Sequence, residues 1–120
     1  MPTMVAFRFS SKNIHEEALP GDGVRVLVER SWPRDLAREE AHIDLWLAEA
    51  APSAALRHRF DSKVLDWENY CHSYRAELGA NAQVVRQLQQ LGHGRPVTLL
   101  YVEDGDTRNH ATVLAEYLAD

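Results

Sequence analysis

The chain has 120 residues but only one cysteine, Cys71, and a single cysteine cannot form an internal disulfide. This sparing use of cysteine favours a reducing compartment. No apolar run comes near the roughly 18 residues that a membrane-spanning helix needs, so the sequence predicts none. The N-terminal stretch MPTMVAFRFSSKNIHEE also lacks the long apolar core of a signal peptide. Together these absences predict a cytoplasmic protein with no membrane partner.

Positive charge and metal-binding motifs are also scarce. The chain carries 13 Lys and Arg residues against 18 Asp and Glu residues, a formal net charge of -5. Because nucleic-acid binding depends on neutralising phosphates, this balance argues against a nucleic acid as the main partner. The six histidines form no HxH, HxxxH or HExxH pair, and there is neither a Walker loop nor a dinucleotide fingerprint. We therefore expect no metal site and no cofactor.

Three segments have the pattern of β-strands. Residues 4–9 alternate between apolar and other side chains, which is typical of a strand with one buried face. Residues 24–30 and 95–102 are nearly continuous apolar runs, as in strands buried on both faces. We expect these two to be parallel neighbours and the first strand to lie at an edge. The polar residues 11–23 read as a loop.

The remaining segments have helical patterns. In residues 36–50, Ile43, Trp46, Leu47 and Ala50 follow helical spacing. Further helices are predicted after Ser53, over 63–78 with Gly79 at the end, from Asn81 to Gly92, and after Asn109. The order β-β-α-α-α-α-β-α predicts a small single α/β domain over residues 1–120. It would hold a short, mostly parallel sheet of three or more strands with helices packed on it.

The two loops that follow the apolar strands are the best candidates for a site. In open α/β sheets, ligands bind beyond the carboxyl ends of parallel strands. The loop ERSWPRD follows the second strand, and EDGDTRNH follows the last strand. If these strands are neighbours, both loops meet at the same edge of the sheet.

The first loop supplies Arg30, Trp32 and Arg34. A guanidinium makes paired hydrogen bonds to phosphates and carboxylates, so both arginines are candidate ligands for an anion. The alternative is that they pair with nearby acidic side chains of the protein. Trp32 either stacks on a ligand ring or covers the core at the strand end.

The second loop and the start of the helix after Ser53 supply the other candidates. Asn109 either caps the last helix or helps to bind an anion there. His110 is a candidate general acid or base, or else a surface hydrogen-bonding residue. Ser53 and Arg57 either face an anion or belong to a plain capped helix. The acidic residues Glu103, Asp104 and Asp106 are best explained by turn formation, and Cys71 by burial.

Four segments together resemble a known family. They are GVRVLVERSWPRDL, IDLWLAEAAPSAALRHRF, WENYCHSYRAEL and VTLLYVEDGDTRNHATVLAEYL. They are similar to the domain of unknown function 488 family, in its short YeaO-like branch, over roughly residues 4–119. The resemblance implies a compact α/β domain, and it implies no activity.

The sequence motifs of this family match the same candidate site residues. The Arg-x-Trp-Pro-Arg motif matches Arg30 to Arg34. The Ala-Pro-Ser motif matches Ala51 to Ser53, and the arginine that follows it matches Arg57. The Asn-His motif matches Asn109 and His110. The chain departs from the pattern in having Glu29 for Asp, Ser31 for Leu and Asp35 for Gly. The resemblance therefore supports a site at the two strand ends.

Two hypotheses follow from these residues. The first is a site for a small anionic ligand, catalytic or merely binding, held by Arg30, Trp32, Arg34, Ser53, Arg57 and Asn109, with His110 moving any proton. The second is a non-enzymatic interaction or regulatory module, in which the arginines pair internally and Trp32 completes the core. The sequence leaves open whether the protein is an enzyme and whether it forms a homo-oligomer.

Overall fold

The structure, a computed structural model, describes residues 9–34, 36–102 and 109–119. Within these ranges the chain forms four strands and five α-helices. The strands are β1 (Phe9–Asn13), β2 (Val24–Leu27), β3 (Leu45–Trp46) and β4 (Val97–Tyr101). The helices are α1 (Arg38–Ala41), α2 (Ala54–Asp61), α3 (Trp67–Ala80), α4 (Ala82–Leu91) and α5 (His110–Ala119). Short 3-10 helices cover Pro20–Asp22 and Ala48–Ala50.

The strands form one parallel sheet in the order β1-β4-β2-β3. In the centre, Val26 of β2 lies opposite Leu99 of β4, and both are fully buried. The predicted small α/β fold with a parallel sheet is confirmed, as are the pairing of the two apolar strands and the edge position of the first.

The two faces of the sheet are covered by different helices. Val26 and Leu99 belong to a large core that includes residues of α2, α3, α4 and α5. Leu27 and Leu100 point to the other face, where they pack with Ala41 of α1. The chain that leaves β2 therefore leads to one face, whereas the chain that leaves β4 leads through α5 to the other. Such a divergence of neighbouring connections is a topological switch point.

The helix predicted over residues 36–50 is wrong. The structure has the one-turn helix α1, then β3, then a 3-10 helix in this segment. His42 takes a left-handed backbone conformation with φ of 52°, which ends α1 after one turn. Leu45 and Trp46 then pair with Val26 and Leu27 of β2, so sheet hydrogen bonds replace the helical ones.

The first strand is also placed differently. The structure has β1 over Phe9–Asn13, so the loop predicted from residue 11 begins too early, while residues 4–8 of the predicted strand lie outside the described residues. The polar side chains of β1 find partners: Ser11 Oγ lies 2.9 Å from Thr112 Oγ1 of α5, and Lys12 Nζ donates to Asp22 Oδ1 at 2.8 Å. An edge strand can therefore be polar here because its side chains are hydrogen-bonded.

The helix starts predicted after Ser53 and Asn109 are confirmed, whereas α3 begins at Trp67 rather than at residue 63, and Asn81 precedes α4 without a side-chain cap bond. Ser53 Oγ accepts from the N–H of Leu56, and Asn109 Oδ1 accepts from the N–H of Thr112, so both residues cap their helices. Gly79 was predicted to end α3, but it lies inside that helix, which continues to Ala80. No helix in the described ranges is long and apolar enough to cross a membrane.

Candidate functional site

A cavity of about 410 Å³ opens at the carboxyl ends of β2 and β4, where their connections diverge. We call it the switch-point cavity. One wall follows β2, a second is formed by the start of α5, and the third by α2 and the segment before it. Its lining residues are Glu29, Arg30, Ser31, Ala51, Pro52, Ala54, Arg57, His58, Asp61 and His110. Its position is the one at which open α/β sheets bind ligands.

Arg30 is held in the cavity wall by backbone carbonyls. Its Nε donates to the carbonyl of Pro52 at 3.0 Å, and its Nη2 donates to the carbonyl of Ala51 at 3.1 Å. Among the described residues, its third nitrogen, Nη1, has no acceptor, and no carboxylate pairs with this guanidinium. Arg30 is thus an exposed positive charge that two backbone carbonyls hold in position and that forms no ion pair with any described carboxylate.

Glu29 joins the ends of the two central strands. Its Oε2 accepts from the N–H of Val102, just past β4, at 2.9 Å, and its backbone carbonyl accepts from the indole N–H of Trp46 at 2.7 Å. Its other carboxylate oxygen, Oε1, receives no hydrogen bond from any residue that the structure describes. A carboxylate accepts up to about four hydrogen bonds, so this side chain retains accepting capacity.

His110 is buried between the same strand ends. Only 1% of it is exposed, and its Nε2 lies 2.6 Å from the carbonyl oxygen of Val28 and 3.8 Å from Glu29 Oε2. Because a carbonyl oxygen can only accept, Nε2 carries the ring proton. The ring also lies edge-on to Tyr74, with centroids 6.3 Å apart. The interactions of His110 therefore fix its position beneath the cavity.

The α2 wall carries an exposed ion pair. Arg57 Nε donates to both carboxylate oxygens of Asp61 at 3.1 Å. These two side chains are one turn apart on the helix, and they are 34% and 57% exposed. Water competes with so exposed a pair, so it holds Arg57 weakly compared with the anchoring of Arg30.

A second cavity, of about 290 Å³, lies on the other side of Arg30, and Arg30 and Ala51 line both cavities. Ser53 lines this second cavity, but its backbone N–H and its hydroxyl are already hydrogen-bonded to Glu77. Glu77 accepts from the N–H of Ser53 at 2.8 Å and from its hydroxyl at 2.5 Å. Tyr74 lines it too, and burial raises the pKa of its phenol well above the usual range. The phenol therefore stays neutral and donates to the carbonyl of Ala50.

The structure brings three of the seven predicted site residues together in the switch-point cavity, namely Arg30, Arg57 and His110. Asn109 adjoins His110 in sequence but is 1% exposed, and its side chain caps α5. Ser53 faces the second cavity.

The other two predicted residues do not line the switch-point cavity. Trp32 packs against the core of the opposite face, where its indole N–H donates to the carbonyl of Leu36. Its ring meets Trp46 edge-on at 5.6 Å. Arg34 is exposed and forms no hydrogen bond or ion pair with the residues described. Residues 103–108, with Glu103, Asp104 and Asp106, lie outside the described residues.

Sequence reasoning did not propose Glu29, His58 or Asp61 as site residues. Glu29 directly follows the apolar run of β2, so its position at the end of a central strand could have identified it as a candidate site residue. Asp61 follows Arg57 at the i, i+4 spacing of helical ion pairs. Nothing in the sequence points to His58. Within residues 9–34, 36–102 and 109–119, no three metal-binding side chains converge in a way that could hold an ion.

Comparison with known proteins agrees with the resemblance seen in the motifs. The chain is 37% identical over 107 residues to "Uncharacterized protein YeaO" of Escherichia coli, covering 89% of this chain and 93% of that protein. It is 30% identical over 105 residues to uncharacterized proteins of Mycobacterium bovis and Mycobacterium tuberculosis, covering 88% of each chain. No solved structure matches it.

A family match covers almost the whole chain. Residues 8–120 match a family described as the inactive DUF488-N3 subclade. The match includes both strand ends, the segment before α2 and the start of α5, so every wall of the switch-point cavity lies inside it. The chain belongs to this inactive subclade of the DUF488-N3 proteins.

Proposed function

We propose that the protein binds a small anionic ligand in the switch-point cavity without transforming it. The observation that carries this proposal is the state of Arg30. Two backbone carbonyls fix its guanidinium, and Nη1 has neither an acceptor nor a carboxylate counter-ion in the described part of the chain. A guanidinium that is already positioned loses little side-chain entropy when it binds an anion, so a phosphate or carboxylate gains affinity there.

The surroundings of Arg30 support binding at this position. Arg57 provides a second positive charge among the residues that line the cavity, and its pairing with Asp61 is exposed and therefore weak. The cavity volume falls in the range of roughly 300 to 1,000 Å³ that is usual for small-molecule sites. Two cations that line one small cavity suit a small anion better than an extended polymer.

Two observations argue against catalysis. The Nε2 proton of His110 is engaged by the carbonyl of Val28, so this nitrogen is poorly placed to act as an acid or base. The subclade to which the chain belongs is described as inactive. The catalytic role predicted for His110 from the sequence stays a prediction, and we propose instead that His110 positions the end of β2.

The test replaces arginines one at a time and measures ligand binding by calorimetry and thermal shift. The probes are inorganic phosphate, phosphate monoesters and small carboxylates. We expect Arg30→Gln to weaken binding about 10- to 100-fold, the effect of losing a hydrogen bond to a charged group. The matched control is Arg34→Gln, which removes the same charge outside the cavity and leaves binding unchanged.

Two results would contradict the proposal. One is the absence of any thermal shift of the wild-type protein with millimolar probe, since bound ligand stabilises by RT ln(1 + [L]/Kd). The other is equal binding by the wild-type protein and Arg30→Gln. If Arg30→Gln does not fold, Arg57→Gln on the exposed face of α2 carries the same test.

The alternative function, an interaction module, is favoured by the edge of the sheet. Among the described strands, β3 pairs only with β2, and Trp46 on it is an exposed large apolar residue. Exposed strand edges can pair with another chain, including a second copy. Failure of the protein to bind any of the probes would favour this interaction module over an anion-binding site. We also propose a cytoplasmic location, supported by the single cysteine Cys71.

A further inference from the structure

The switch-point cavity offers a ligand two unused polar atoms of opposite character. With respect to the described residues, Arg30 Nη1 is a charged donor without an acceptor, and Glu29 Oε1 is a charged acceptor without a donor. Both side chains line the cavity, yet these two described residues form no ion pair with each other. The cavity therefore provides for both a negative group and a hydrogen-bond donor on the same bound molecule.

The charges of the cavity lead to the same conclusion. Arg30 and Arg57 contribute two positive charges, and Glu29 and Asp61 contribute two negative ones. A bare anion bound at Arg30 would share the cavity with the Glu29 carboxylate, and two like charges repel each other. A hydroxyl or amino group on the ligand removes this conflict because it donates to the carboxylate.

The Glu29 carboxylate is held in place for such a contact. Its Oε2 is bonded to the N–H of Val102 at 2.9 Å, so the side chain cannot simply turn away from the cavity. Only 17% of the side chain is exposed, so water competes with a ligand donor less than at an open surface. The accepting oxygen is thus preorganised in the same way as the donor of Arg30.

We propose that the ligand carries a hydroxyl or amino group close to its anionic group, as sugar phosphates, polyol phosphates and hydroxy acids do. Arg30 Nη1 donates to the anionic group, and Glu29 Oε1 accepts from the neighbouring hydroxyl or amino group. This inference rests on the proposed function, because it specifies the chemistry of the anion that the cavity binds.

The experiment compares probes of equal charge that differ in their hydroxyl groups. Glycerol 1-phosphate is paired with n-propyl phosphate, and glycerate is paired with propanoate. In calorimetric titrations of the wild-type protein, we expect the hydroxylated member of at least one pair to bind about tenfold more tightly, as one charge-assisted hydrogen bond requires.

The variant Glu29→Gln tests the role of the carboxylate. Its amide oxygen can keep the bond to Val102, while its amide nitrogen presents a donor where Oε1 accepted. A ligand hydroxyl can still accept from that nitrogen, but the bond is then between neutral groups and weaker, so we expect the affinity ratio within the discriminated pair to fall well below its wild-type value. Removing a negative charge changes the affinity of both probes in the same direction, so the ratio is insensitive to it. The matched control, Glu49→Gln, lies outside this cavity and keeps the ratio of the wild-type protein.

The outcomes separate the inference from the function on which it rests. Equal binding of both members in each pair by the wild-type protein would overturn the inference and leave anion binding intact. A ratio that persists in Glu29→Gln would also overturn the assignment to Glu29. Failure of all four probes to bind would overturn both. The comparison of probes on the wild-type protein decides the matter even if Glu29→Gln does not fold.

Discussion

The substitution Asp22→Asn tests whether a buried ion cluster stabilises the fold. Asp22 lies just before β2, and its carboxylate is 9% exposed. It accepts from Lys12 Nζ at 2.8 and 3.0 Å, from the N–H of Leu19 at 3.1 Å, and from Arg25 Nη1. The Arg25 guanidinium, 5% exposed, also donates to two backbone carbonyls near the end of α1. The cluster therefore links β1, β2 and α1.

The expected cost follows from these contacts. An amide has one oxygen, so the substituted side chain can keep the bonds that Oδ2 accepts from Leu19, Arg25 and Lys12 but loses the 2.8 Å bond from Lys12 to Oδ1. More importantly, it leaves the buried charge of Arg25 without an anion. Removing one partner of a buried ion pair lowers the free energy of unfolding by about 3 to 5 kcal/mol. Because the geometry is largely kept, we expect a loss of about 3 kcal/mol in the free energy of unfolding, a large part of the roughly 5 to 15 kcal/mol of a typical domain.

The assay is urea unfolding of the wild-type protein, of Asp22→Asn and of the control Asp61→Asn. Asp61 is also paired with an arginine, but that pair is exposed, so its removal should cost less than about 1 kcal/mol. A cost below about 1 kcal/mol for Asp22→Asn, or equal costs for the two variants, would refute the reasoning.

The pH dependence gives an independent check. Burial raises the pKa of the Asp22 carboxyl, but the hydrogen bonds from Lys12, Leu19 and Arg25 outweigh burial and leave the pKa below its ordinary value of 3.8. A group with a lowered pKa stabilises the fold above its unfolded pKa, and this contribution is lost as pH falls through the folded pKa. The stability difference between the wild-type protein and Asp22→Asn should therefore be constant at neutral pH and shrink below about pH 4.

Two further substitutions test tight packing. Gly23→Ala should cost at least about 3 kcal/mol, because φ is +68° and the new Cβ would lie 2.1 Å from the carbonyl oxygen of the residue before β4; Gly21→Ala, with open space around it, should be nearly neutral in the same urea assay. Tyr74→Phe should cost about 1 to 3 kcal/mol, since it leaves the buried carbonyl of Ala50 without its donor. Tyr117→Phe, a partly exposed tyrosine, should change stability by less than about 0.5 kcal/mol, and equal costs for these two tyrosines would contradict the argument.

The central part of the fold could be predicted because its signal is local. The apolar runs of β2 and β4 require burial on both faces, and that alone indicates neighbouring parallel strands. The caps of α2 and α5 could be predicted because a single side chain, Ser53 or Asn109, makes each of them with a backbone N–H three residues later.

The segment after β2 could not be predicted because its structure depends on the sheet. Ile43, Trp46, Leu47 and Ala50 have helical spacing, but strand pairing with β2 outweighs this preference once β2 is in place. The same holds for β1, whose polar residues show no alternation of apolar side chains. Its partners in Thr98 and Thr112 are far away in the sequence.

The sequence predicts the position of the candidate site correctly but only some of the residues that line it. Arg30 and His110 follow central strands, and the strand ends meet as expected. Trp32 is two residues from Arg30, yet it packs on the opposite face of the sheet because the chain leaves β2 toward α1. Arg30 bonds to the carbonyls of Ala51 and Pro52 rather than to an acidic side chain. These partners are more than 20 residues away in the sequence. No local pattern reports it.

The wall that the two cavities share includes Arg30 and Ala51, which line both of them. Most of this shared wall is one long side chain, which the backbone carbonyls of Ala51 and Pro52 hold in position. A relative with a short residue at this position would join the two spaces into one continuous groove without any change in the sheet or helices. A single substitution at this position would thus change the size of the ligand that fits and the recognition of the anion together, because Arg30 both lines the two spaces and supplies the positive charge.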